Sequence, residues 1–122
     1  MRYMFLIYTQ EDAVRRASVE EMNAVKQRHG ALLAETAQLG ILQSAAPLQT
    51  TETATTVRHG PSKLLTTDGP FAETKEQLAG YYILECKDLD EAIAWAAKIP
   101  TECGGGSGCV EIRPIREMPN GG

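Results

Sequence analysis

Residues 3–8, YMFLIY, form an unbroken apolar run rich in β-formers, the pattern of a strand buried on both faces. The polar stretch TQEDAVRRA at 9–17 reads as a connection to a long helix. Ser18 and Glu21 have capping-box spacing, and Gly40 suits the position just past a helix C-terminus. Between them Met22, Val25, His29, Leu32, Leu33, Thr36 and Leu39 recur at steps of three and four, tracing one face. ILQSAAPL at 41–48 predicts a second strand. ATTVRH and KLLTT flank His59-Gly60-Pro61-Ser62 and predict a hairpin, with His59 as a turn residue. GYYILEC at 80–86 is again apolar on both sides. Asp88 and Glu91 repeat the capping-box spacing before DLDEAIAWAAKIP, a helix that Pro100 ends and whose Trp95 sits at the edge of the apolar stripe. A flexible glycine-rich segment, TECGGGSG, then leads into a last strand, CVEIRPI, and residues 116–122 read as a frayed tail.

Strand–helix–strand at 3–48 is echoed by strand–helix–strand at 80–115, with a hairpin between. Two such units predict an α+β fold, a ferredoxin-like sandwich with an inserted hairpin. Helices then cover one sheet face, and the doubly apolar strands require a cover for the other. A second copy of the sheet is the simplest cover, so a homodimer is expected.

At 122 residues the chain fits one domain able to bury a core without staples. Its net charge of −4 and lack of a Lys/Arg run disfavour nucleic acid and anionic membranes as partners. The apolar start is too short to span a membrane and lacks the parts of a signal peptide, which predicts a cytoplasmic protein. Cys86, Cys103 and Cys109 contain no C-x-x-C pair and read as reduced thiols. No histidine pair or carboxylate cluster has metal-ligand spacing, so neither metal nor other cofactor is predicted. CGGGSG is followed by a strand and lacks a Gly-Lys-Ser/Thr ending; it reads as a mobile loop or lid instead of a phosphate loop.

The chemistry concentrates in TDGPFAETKEQLAG at 67–80. Pro70 fixes its own φ and pushes Gly69 toward extended backbone, while Phe71 is expected to bury and pin the loop. Asp68 would then be held rigidly at a strand end, as a catalytic or ligand-gripping carboxylate requires; the bland alternative is an Asx-turn. Glu73, Lys75 and Glu76 read as solvated charges or as partners of one another and of Arg113, with Lys75 also able to attract an anionic substrate group. His29 points at the sheet, either as a packed core residue or, near a carboxylate, as a proton carrier. Tyr8, Tyr81 and Tyr82 can offer hydroxyls to a substrate or serve as core and dimer-face aromatics.

With TDGPFAETKEQLAGYYILE and VEIRPI in view, together with MRYMFLIY, TATTVRHG and DLDEAIAWAAKIP, the chain resembles DGPF-type members of the YCII-related family. That resemblance implies a dimeric α+β barrel of ferredoxin-like subunits and a His–Asp pair as active site. His29, eleven residues before Gly40, stands where the histidine is expected, and Asp68 opens the DGPF block. Ala79 stands where such sequences commonly have a second glycine. The resulting expectation is a cofactor-independent enzyme in which His29 and Asp68 perform acid–base chemistry on a small organic molecule, with Tyr8, Phe71, Lys75 and Tyr81 binding it. The alternative is a non-catalytic dimeric module that binds a metabolite or regulates.

Overall fold

A computed structural model describes residues 1–119; the last three residues of the expected tail, Asn120 to Gly122, lie outside that range. The elements are β1 (Arg2–Thr9), α1 (Glu11–Arg15), α2 (Val19–Gln38), β2 (Leu42–Pro47), β3 (Thr55–His59), β4 (Leu64–Asp68), β5 (Gln77–Glu85), α3 (Leu89–Ala96) and β6 (Gly108–Pro114). β2, β5, β1 and β6 form, in that order, one antiparallel sheet, while β3 and β4 pair as a separate two-stranded sheet. An α+β chain with this strand order is compatible with a ferredoxin-like arrangement into which a hairpin has been inserted.

The ends of α2 are set by local chemistry. Ser18 accepts from the Glu21 amide at 3.0 Å, and the Glu21 carboxylate accepts from the Ser18 amide at 3.1 Å. At the other end Gly40 adopts φ 75°. Its amide and that of Ile41 donate to the carbonyls of Ala37 and Thr36, both at 3.0 Å, closing the helix as a Schellman motif. Leu32 and Thr36 of the predicted stripe are buried. Leu39 is 60% exposed and falls beyond the core. Buried Thr36 satisfies its hydroxyl on the Leu32 carbonyl at 2.8 Å.

β1 alternates: Tyr3, Phe5 and Ile7 are buried, whereas Met4, Leu6 and Tyr8 are partly exposed. Cross-strand pairing carries the alternation to β5, where Tyr82 and Leu84 are buried and Tyr81 and Ile83 are not. Phe5, Leu84, Leu32, Ala92 and Ile99 join one core cluster between the sheet and the helices. Within the single chain, then, only one face of these doubly apolar strands is fully buried. A bulge interrupts β5: Ile7 pairs with Gly80 and Tyr8 with Leu78, leaving Ala79 as the extra residue. A Cβ on Gly80 would lie 2.8 Å from the Ala46 carbonyl oxygen, so β2 can approach only because this residue is glycine.

Two expectations change here. The polar connection at 9–17 contains the short helix α1. The tail is tied down at Glu117, which accepts from Arg2 Nε and Nη2 at 3.0 and 3.2 Å. No helix among the described residues is long and apolar enough to cross a membrane.

Candidate functional site

α2 presents His29 to the sheet, and β5 presents Tyr82 from its inner face, paired with Phe5 on one side and Ala45 on the other. His29 Nδ1 and Tyr82 Oη are 2.6 Å apart, with ring centroids 5.9 Å apart and tilted by 43°. Tyr82 is 4% exposed and His29 is half-buried. Burial, with the nearby Arg28 charge, holds the imidazole below its ordinary 6.5. Burial also pushes the Tyr82 phenol up to about 12. Both groups are therefore neutral near pH 7 and share one short hydrogen bond. When Tyr82 donates to Nδ1, Nε2–H is left as a hydrogen-bond donor; in the other tautomer Nδ1 donates to Tyr82 and Nε2 can take a proton.

Within the single chain, Asp68 makes no hydrogen bond or ion pair with His29. Asp68 pairs with Thr55 at the exposed end of β4. Among the described residues its carboxylate makes no hydrogen bond or ion pair, so neither the dyad nor an Asx-turn is formed. Gly69 has φ 97°, which explains its place in the DGPF turn. Phe71 corrects a second expectation. It is 74% exposed, because the turn travels with the hairpin and not with the core. The turn is held by backbone-directed bonds, Thr56 Oγ1 to the Gly69 carbonyl at 2.8 Å and Arg58 Nη2 to that of Phe71 at 3.4 Å.

The other candidates are dispersed. Tyr8 and Tyr81 lie on the outward sheet face, Tyr8 donating to Glu111 at 3.3 Å and Tyr81 bonding Ser44 at 3.2 Å. Lys75 is exposed beside a recess at α1. Glu76 makes no ion pair with Arg113 and accepts from Ser107 Oγ at 2.7 Å and Cys109 Sγ at 3.5 Å.

The glycine-rich segment is not a lid. Gly104 lies so close to Ala13 of α1 that a Cβ would collide with its carbonyl, and a Cβ on Gly106 would lie 2.6 Å from that of Ala13. The Ser107 amide donates to Gln10 Oε1 at 2.9 Å. Burial pushes the Cys86 thiol up to about 11 and also raises Cys103 and Cys109, which places all three away from thiolate nucleophiles.

Two roles went unrecognised in the sequence, Tyr82 as the partner of His29 and Glu11 as a joint. Tyr82 reads there as one aromatic among several. Its alternation with Leu84 and Cys86 marks an inward residue, but the meeting with His29 depends on long-range packing. Glu11 is a joint: its carboxylate accepts from the Thr51 amide and hydroxyl at 2.7 and 2.9 Å, and its amide donates to Gln77 Oε1 at 2.9 Å. It thereby links α1, the segment before β3 and the start of β5.

The YCII-related domain family matches residues 1–119 of the chain. An uncharacterised protein of Rhizobium meliloti (strain 1021) is 36% identical over 115 residues, 94% of this chain and 92% of that relative.

Proposed function

The chain belongs to the YCII-related family, and we propose that it is an acid–base enzyme acting on a small organic molecule, with His29 as the proton carrier and Tyr82 as its partner. The observation that carries this reading is the 2.6 Å contact between a half-buried histidine and a buried tyrosine, both neutral. A histidine whose pKa lies below 6.5 is a free base at neutral pH, ready to accept a proton at Nε2. In the tautomer that can do so, Nδ1 already donates to Tyr82 Oη and keeps donating once the ring is charged, so the phenol steadies the imidazolium without losing its own proton. Tyr82 takes the orienting place first expected for Asp68. The protein acts as a homodimer packed sheet to sheet. Met4, Leu6, Tyr81 and Ile83, aligned on the partly exposed face, support that assembly. A non-catalytic binding or regulatory dimer is the second reading, favoured by the position of Asp68 away from the histidine.

The test is an NMR titration of His29 in the wild type and in Tyr82→Phe, with His29→Gln assigning the signal. We expect a pKa below the ordinary value that moves in Tyr82→Phe. An upward move means the phenol donates to the neutral ring; a downward move means it accepts from the charged ring. An imidazole that fails to titrate between about pH 4 and pH 9, or ignores the substitution, sinks the proton-carrier reading and leaves the binding module.

A further inference from the structure

Beside His29, Arg28 turns into the space between the two longer helices. Two adjoining recesses of about 530 and 540 Å³ share it as a lining residue. The first has apolar walls of Ile93, Ile99, Val110 and Ile112, with Glu102 among its polar residues. The second includes Leu32 and a pair of opposite charges, Glu35 and Lys98, joined at 3.3 Å. That pair cancels itself. Arg28 has no such partner: among the described residues its guanidinium makes no ion pair or side-chain hydrogen bond. Ile93 is left 51% exposed on the wall. A cleft with isoleucine and valine on its walls and a guanidinium held by no ion pair has the makings of a small-molecule site, because the planar fork grips a carboxylate while the apolar side chains cover its body.

We propose that the cleft between α2 and α3 binds an apolar monocarboxylate, its carboxylate on Arg28 and its hydrocarbon body over Ile93, Ile99 and Val110. His29 lines neither recess, so the cleft stands apart from the proton carrier and rests on that reading only for its second readout. Burial is the main cause of the lowered His29 pKa, and the Arg28 charge adds to it. A bound carboxylate neutralises it, so His29 becomes more basic when the ligand arrives. Glu102 lines the same recess and, like Arg28, is solvent-exposed, so the ligand's acid group has to seat on the Arg28 side of it.

Amide-resolved NMR titrations with hexanoate and benzoate, against hexanamide and benzamide, test the cleft. We expect saturable shifts at Arg28, Ile93, Ile99 and Val110 with the acids and about tenfold weaker binding in Arg28→Gln. Ile93→Glu, which places a carboxylate in the wall, should abolish the shifts and serves as an independent variant. The proposal is overturned if the amides bind as well as the acids, if Arg28→Gln binds unchanged, or if no cleft residue moves. The His29 titration is then repeated with saturating hexanoate. A rise in pKa supports the coupling to proton transfer. An unmoved pKa overturns that coupling while the cleft assignment stands, so the two failures are told apart.

Discussion

His29 and Tyr82 each resist charging in the folded state, and this makes them opposite limbs of one stability profile. His29 has a folded pKa below 6.5, so as pH falls through that value the unfolded chain takes up a proton first and stability is lost. The loss stops once the lower folded pKa is passed. Tyr82 is raised from 10.0 to about 12, so its contribution is intact below 10.0 and disappears as pH rises toward about 12. Urea midpoints measured across pH should fall at both ends, and His29→Gln should flatten the acid limb just below 6.5. An unchanged acid limb in that variant would assign the loss to other groups. His29 was legible as an inward residue from its stripe. Its partner was not, because the spacing of a helix says nothing about which strand residue it meets. Phe71 was misread for the opposite reason: an aromatic in a stiff turn suggests an anchor, yet the turn belongs to an element that stands off the core.

Among elements, the boundaries of α2 were the most readable, since caps are written locally in Ser18, Glu21 and Gly40. α1 was missed because its five residues carry no periodic stripe and such a helix has little stability of its own. It is held from outside by the glycine segment, whose close approach to Ala13 also converts an expected lid into a fixed collar. Gly104 and Gly105 separate two causes of that constraint. Both have positive φ, at 73° and 78°, but only Gly104 has a carbonyl where a Cβ would go. Gly105→Ala should cost about 1 kcal/mol and Gly104→Ala roughly 2–3 kcal/mol in urea unfolding. Equal losses would show that the close approach is not the constraint.

For the whole molecule, the two repeated strand–helix–strand units were visible in the sequence, as was the surplus of apolar residues for one sheet face. What the pattern could not supply was the separation of the hairpin into its own small sheet, since nothing in ATTVRH or KLLTT distinguishes a lone pair of strands from an extension of the main one. If the outward face is a dimer seam, light scattering at micromolar concentration should give twice the 13.3 kDa chain, and Leu6→Glu should halve the mass while the helical signal persists. A wild-type monomer under those conditions would remove the sheet-to-sheet assembly.

The amide of Gly69 donates to the carbonyl of Ala54 at 2.7 Å, clasping the base of the hairpin just outside its paired strands. The two ends of the inserted piece are therefore brought together by a bond that does not depend on what lies between them. The arm is in this sense interchangeable: its length and surface can change while the clasp hands the same two ends back to the framework, since longer closed loops add little entropy cost. Diversity among chains of this build is expected to gather there, on a replaceable tip, while the four-stranded sheet keeps its register.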